Sequence, residues 1–277
     1  MKKLRLTPRD FAIITSLANS VTLSTTQIGV LYFSGNTKKA SERLKLLENE
    51  GLVQHKRKTW KFIGEKTENF YCVTMTARRI AKLPPAKKHH FPVNLNHLAC
   101  TNQINILLRQ ACPENIVYDF VPSWQYASGR FEPCQTLVST LCPDATISVS
   151  NNTQTLLAFL EIDLETEPLT RTNSKQTSLF SKLQHYCTYF DSNAYQAEAE
   201  HVFKCRFNGF RVLIITKGER RIDSIRQNLK MGDTRFIWCT TFKQIEENGI
   251  FQGIWKTAFL EDSGTYSLIE TYKHTTQ

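Results

Sequence analysis

The sequence predicts a mixed α/β (α+β) chain in two parts. A small basic helical domain with a β-hairpin comes first, and a mixed sheet flanked by helices follows. Three observations carry this prediction. Charge is split unevenly: residues 1–90 hold 18 basic and 6 acidic side chains, net +12, while the remainder holds 17 and 19, net −2. Helical spacing of apolar residues gives way to a strand pattern within those ninety residues. Beyond residue 97, helical and strand-like runs alternate to the end of the chain. With 277 residues, 41% of them hydrophobic and 11% aromatic, both parts can bury a core.

In the first part, Thr7-Pro8-Arg9-Asp10 reads as a helix start, with Thr as N-cap, Pro at the first position and an acid in the first turn. Phe11, Ile14 and Leu17 continue it. Leu23 to Gln27 opens a second short helix carrying Ile28, Leu31 and Tyr32. A third begins at Thr37, runs through Leu44 and Leu47 to Asn49, and is closed by Gly51. A strand from Leu52 to Lys58, a polar tip at 64–69 and a returning strand from Phe70 to Thr74 complete the unit. Three short helices and a β-hairpin are the plan of a winged helix-turn-helix. That plan puts the third helix in the major groove of duplex DNA and the hairpin on its backbone. The exposed residues of that helix would be Asn36, Thr37, Lys38, Lys39, Ser41, Arg43 and Lys45. Lys56, Arg57, Lys58 and Lys61 lie on the wing. The alternative is a protein-docking module with a solvated basic face. Net +12 over about ninety residues exceeds what solubility needs and favours DNA. This gives a DNA-binding domain over 1–83, a proline- and basic-rich linker over 84–96, and a second domain over 97–277.

The second part begins with a helix from His97 to Ala111, stopped at Cys112-Pro113. Strand-like runs follow at 116–126, 137–149 and 155–164. The last two are joined by the turn formers Ser150-Asn151-Asn152-Thr153. A polar loop precedes a helix at 178–190. Then come a continuous apolar strand at 210–216, a helix from Gly218 to Met231 bearing Arg220, Arg221 and Arg226, a strand at 236–240 and a short helix at 241–248.

Acidic residues sit at the edges of the central hairpin. Asp144 follows Pro143 near one end of the first strand, and Glu161 and Asp163 share one face of the second by the period-two rule. Carboxylates are hard oxygen ligands for Mg²⁺ or Mn²⁺, ions that activate water and stabilise charge on an attacked phosphate. A turn cap at Asp144 and solvated acids at a strand end are the competing account. Glu161, however, directly follows the apolar run 156–160, where a charge needs a partner or a metal.

The order helix, strand, Pro-Asp strand, Glu-x-Asp strand, then a helix with Lys182-x-x-x-Tyr186 resembles the PD-(D/E)XK nuclease core. The resemblance implies a metal-dependent site of Asp144, Glu161 and Asp163, with Lys182 supplying the amine. Asp163 stands where that pattern has lysine, so Lys182 on the following helix would be a migrated one. Over residues 6–245 the chain resembles the replication-relaxation family of plasmids and mobile elements. The matching stretches are Leu6-Thr7-Pro8-Arg9-Asp10, Gln27-Ile28, Arg43-Leu44-x-x-Leu47, Gly51-Leu52-Val53, Val73-Thr74-x-Thr76, His97-Leu98, Pro143-Asp144, Glu161-Ile162-Asp163-x-x-Thr166-Glu167 and Lys182-Leu183-x-x-Tyr186. The resemblance implies a protein acting on double-stranded DNA in plasmid replication, relaxation or transfer, together with other replication or transfer proteins. Two functions stay open: a Mg²⁺-dependent endonuclease or nickase, and a non-catalytic regulator built on the same fold.

Other classes are disfavoured. No apolar run is long enough to span a bilayer and the start lacks a signal-peptide core, so membrane attachment is not expected. Eight scattered cysteines show neither C-x-x-C pairs nor zinc spacing, and read as reduced thiols of a cytoplasmic protein.

Overall fold

The computed structural model describes residues 4–60, 66–85, 91–92, 94–126, 141–165, 169, 178–229 and 233–269. The chain forms two compact units that divide between Ile106 and Leu107. It is a mixed α+β protein with two sheets, as the sequence predicts. Among the described residues, no helix is long and apolar enough to cross a membrane.

The first unit opens with α1 (Pro8–Ser20), where Thr7 and Asp10 form a capping box behind Pro8. A second capping box, Ser24 with Gln27, starts α2 (Thr25–Tyr32) directly after β1 (Leu23–Ser24). Helix α3 (Thr37–Asn49) is capped by Asn36 and closed by Gly51, whose φ of +66° suits glycine. Helices α2 and α3 approach closely at Gly29, where a Cβ would lie 3.4 Å from the Thr37 Cα. Strands β2 (Val53–Thr59) and β3 (Thr67–Val73) form the expected hairpin, and β1 joins it in an antiparallel sheet of order β1-β3-β2. Ile13, Ile14, Leu17, Ile28, Leu44, Leu47 and Tyr71 fill the core.

Two further elements close this unit. Helix α4 (Met75–Ile80), capped by Thr74, follows β3, and α5 (Leu95–Ala111) contributes its first turns. The Asn102 side-chain amide donates to the carbonyl oxygens of Ser20 (3.1 Å) and Thr22 (2.7 Å). Gln27 Nε2 donates to the Ala99 carbonyl at 2.9 Å, and Ile106 enters the core. Asn102 thereby satisfies carbonyl groups left open between the end of α1 and the start of β1, and Gln27 ties α2 to α5.

The second unit carries a six-stranded sheet in sequence order. Its strands are β4 (Val117–Pro122), β5 (Ala145–Ser150), β6 (Thr155–Asp163), β7 (Phe210–Thr216), β8 (Ile237–Thr241) and β9 (Lys256–Thr257). Strands β4, β5 and β6 are antiparallel neighbours, β6, β7 and β8 run parallel, and β9 returns antiparallel. The hairpin turn between β5 and β6 is held by Asn151, whose Oδ1 accepts from the amides of Thr153 and Gln154. Of the strand expected at 137–149, residues 137–140 lie outside the described residues and β5 itself begins at Ala145. Helix α6 (Ser123–Tyr126) follows β4. Helices α7 (Leu179–Ser192) and α8 (Ala194–Phe203) cross between β6 and β7, α9 (Glu219–Asn228) between β7 and β8, and α10 (Phe242–Asn248) follows β8.

One face of this sheet is covered by α7, α8 and α9. Leu157, Phe159, Phe210, Val212, Ile214, Ile237 and Cys239 point to it and pack on Leu183, Tyr186, Tyr189, Tyr195, Ile222 and Ile225. Aromatic edges and faces meet there, with Phe159 and Phe210 rings 4.9 Å apart at 72°. Strand β6 is buried on both faces from Leu157 to Asp163, the environment of a central strand.

Candidate functional site

The basic surface of the first unit is narrower than its sequence suggests. Lys38, Lys39, Ser41 and Lys45 are exposed along α3, Lys56 and Arg57 are exposed on β2, and Lys58 is half-buried there. Thr37 is exposed at the start of α3, whereas Asn36 commits its side-chain oxygen to the Lys39 amide at 2.9 Å as the helix cap. Arg43 departs from expectation. Its Nε donates to Asp10 Oδ1 at 2.7 Å, a second nitrogen pairs with Oδ2, and it also reaches the Arg5 carbonyl. Asp10 is fully buried, so Arg43 neutralises an otherwise isolated charge and ties α3 to the start of α1. Burial works to raise the Asp10 pKa, but hydrogen bonds from Arg43 and Thr7 outweigh it and hold the carboxyl below its ordinary value. Lys61 lies outside the described residues.

In the second unit the adjacent strands β5 and β6 carry the acidic residues. Asp144 sits just before β5, half-buried, and its Oδ2 accepts from the Ile162 amide at 2.7 Å. Glu161 lies on the helix-covered face of β6 and is buried. Its carboxylate pairs with the Lys182 ammonium and accepts from the Tyr186 hydroxyl at 2.5 Å. Both partners belong to α7, one turn apart, because Ser178 caps that helix and starts it in phase with the strand end. The spacing Lys182-x-x-x-Tyr186 thus delivers two donors to one buried acid.

The electrostatics of this group follow from its charge count. Asp144, Glu161 and Lys182 set two acids against one cation. Burial pushes the Glu161 carboxyl up to about 7, and the Asp144 charge adds to that against the opposing pull of Lys182 and Tyr186. Burial alone lowers the Lys182 pKa, but Glu161 and Asp144 reverse this and raise it above the ordinary lysine value. Both directions have one meaning: the ammonium stays charged, and the Glu161 carboxyl holds its proton to a higher pH than an ordinary glutamate.

Asp163 behaves differently. It shares the face of Glu161 but is held by Arg221 of α9, whose Nε donates to Oδ2 at 2.6 Å and Nη2 to Oδ1 at 3.2 Å. This bidentate pair, with Asp163 buried and Arg221 partly so, fixes the start of α9 against the end of β6. Among the described residues, no group of three or more His, Cys, Asp or Glu side chains is placed to hold a metal ion. Of the expected trio, Asp144 and Glu161 lie with Lys182 at the junction of β5 and β6, and Asp163 is held by Arg221. Arg226 is likewise occupied, donating to the carbonyls of Phe259 and Leu260 at 3.1 Å, while Arg220 is exposed.

No curated protein and no solved structure matches this chain. A family model described as replication-relaxation matches residues 14–203, more than half of the chain and inclusive of α3, Asp144, Glu161, Lys182 and Tyr186. The chain belongs to the replication-relaxation family, which points to a part in the replication of a plasmid or another mobile element.

Proposed function

We propose that the protein is a DNA-binding factor of mobile-element replication whose second unit is a PD-(D/E)XK-type nuclease domain cutting one strand of its target. The first unit is read as a winged helix. Its exposed α3 lysines and the Lys56-Arg57 strand bind phosphates and hold the duplex. The observation that carries the nuclease reading is the group of Asp144, Glu161 and Lys182, two acids against one cation at the junction of β5 and β6, with Glu161 buried. Two carboxyl groups at one strand junction fit a hard divalent cation, with Asp144 and Glu161 as its oxygen ligands. Mg²⁺ or Mn²⁺ held there would supply Lewis-acid stabilisation of the phosphate and an activated water. The Lys182 side chain is 30% exposed, and its ammonium would pair with a phosphate oxygen once released from Glu161. Tyr186 holds the Glu161 carboxylate in place during that exchange, and Asp163 with Arg221 is structural.

The direct Lys182–Glu161 pair also suits a second reading, a regulator that keeps the fold for DNA binding without cleavage. A supercoiled plasmid incubated with the full chain and Mg²⁺ or Mn²⁺ separates the two. Nicking that is lost in Asp144→Asn and Glu161→Gln, with DNA binding retained, establishes the nuclease. Binding without nicking in either ion establishes the regulator.

A further inference from the structure

On the sheet face opposite Glu161, a pocket of about 680 Å³ opens among Arg206, Arg211, Arg235, Trp238, Asp262 and Tyr266. Its placement follows from strand alternation. Phe210, Val212, Ile237 and Cys239 face α7, α8 and α9, so Arg211 and Trp238 between them point to the other side. The size falls in the range of small-ligand sites.

Arg211 is the unusual member. Its guanidinium lies over the Trp238 ring at 5.2 Å, and one nitrogen donates to the carbonyl of its own neighbour Phe210 at 3.2 Å. Its Nε is buried without a hydrogen-bond partner. Among the described residues no carboxylate lies within ion-pair distance of it, whereas Arg221 on the other face has the bidentate Asp163. A half-buried cation with an open donor calls for an anion. Arg206 and Arg235 stand at the rim with mostly exposed side chains; Arg206 lies 3.9 Å from Glu200, and Arg235 makes a solvent-exposed bidentate pair with Asp233 (2.8 and 2.7 Å) that leaves its third nitrogen open to a ligand. The one acid lining the pocket, Asp262, already accepts from the Thr257 and Tyr266 hydroxyls and the Gly264 amide.

The pocket also has an aromatic wall. Trp238 stacks on Tyr266 with ring centres 5.4 Å apart and planes 26° from parallel. Asp262 anchors the Tyr266 hydroxyl at 2.9 Å, so the ring is held, yet Tyr266 remains 36% exposed. A fixed, partly open aromatic ring beside three guanidinium groups suits a planar base carrying a phosphate. We propose that this pocket binds a nucleotide, with the phosphate on Arg211, Arg206 and Arg235 and the base against Tyr266. The site stands on the other side of the sheet from Asp144 and Glu161 and does not depend on the nuclease reading. The same chemistry is offered by a free nucleotide and by one unit of a single strand.

Calorimetric titration of the full chain with dTMP, inorganic phosphate and a six-residue oligo(dT) tests the proposal. Saturable dTMP binding is expected, weakened at least tenfold by Arg211→Gln and several-fold by Arg235→Gln or Tyr266→Leu, with Arg220→Gln unchanged. Parallel loss of oligo(dT) binding in Arg211→Gln and Arg235→Gln identifies a strand as the source. Oligo(dT) binding that is unaltered while dTMP binding falls identifies a free nucleotide. Absence of dTMP binding overturns the proposal, as does equal dTMP affinity in wild type and Arg235→Gln, a rim variant whose folding is not at issue. Inorganic phosphate binding as tightly as dTMP, with Tyr266→Leu silent, also overturns it and leaves an anion site only.

Discussion

At the scale of single residues, Arg43 and Glu161 make opposite demands on their surroundings. Arg43 is a structural cation. Its removal leaves Asp10 buried and unpaired, so Arg43→Ala should destabilise the chain by about 3–5 kcal/mol in denaturant titrations. The loss should be larger than for Lys39→Ala, which is exposed and should stay within about 0.5 kcal/mol. Glu161 is the acid whose hold on its proton strengthens on folding. Its folded pKa, near 7, lies above the ordinary value of 4.5, so the folded state binds more protons between these limits. Its contribution to stability is therefore full below pH 4.5 and is lost as pH rises through 7. Thermal unfolding of wild type and Glu161→Gln across pH 4.5–8 should show a descending limb in the former that is absent in the latter. A parallel pair of profiles would mean that Glu161 stays ionised throughout. Asp10 has the reverse sign: its depressed pKa adds stability above the ordinary carboxylate range that is lost on acidification.

At the scale of elements, α3 and α7 owe their roles to which residues are left over after packing. Helix α3 places Ala40, Leu44 and Leu47 in the core and Arg43 on Asp10, so Lys38, Lys39 and Lys45 remain on the open side. Replacing these three with Gln should lower the slope of log affinity against log salt by about 0.9 for each phosphate no longer neutralised. The same change at Lys243, Lys256 and Arg220 of the second unit should leave the slope in place. Equal effects would put the main duplex-binding surface outside α3. Helix α7 buries Leu179, Leu183, Tyr186 and Tyr189 along one stripe, and Lys182 borders that stripe at its solvent side. Local capping rules made both helices legible. Helix α8 was not legible, because Asn193 joins it to α7 in a left-handed conformation (φ 55°) without a glycine or proline to mark the break.

At the scale of the whole molecule, the setting of two acids, Asp144 and Glu161, against one ammonium is the property that a divalent ion would change. Mg²⁺ or Mn²⁺ binding only the folded chain at a hundred times its dissociation constant should stabilise it by about 2.7 kcal/mol. Thermal melts at pH 7.5 should show that gain in wild type and lose it in Asp144→Asn. The pH-dependent descent assigned to Glu161 should flatten when the ion is present. A melt insensitive to either ion would separate the fold from metal chemistry and leave Lys182 as the permanent counter-charge of Glu161.

Features under local physical control are legible in the amino-acid order alone. Thr7-Pro8-Asp10 and Ser24-Gln27 state their helix starts within four residues, Asn151 states its turn, and period two puts Glu161 and Asp163 on one face. The alternation of elements points to the mixed α/β class, and the ordered short motifs point to the family. Which acid meets which cation is settled only by packing. Arg43 reaches Asp10 across 33 residues and Arg221 reaches Asp163 across 58, distances over which no spacing rule operates. Packing also places Asn102 against Ser20 and Thr22, and Arg211 against Trp238. The reason is that a buried charge or amide is satisfied by whichever partner the packed elements bring within about 3 Å, and that proximity is set by the whole fold.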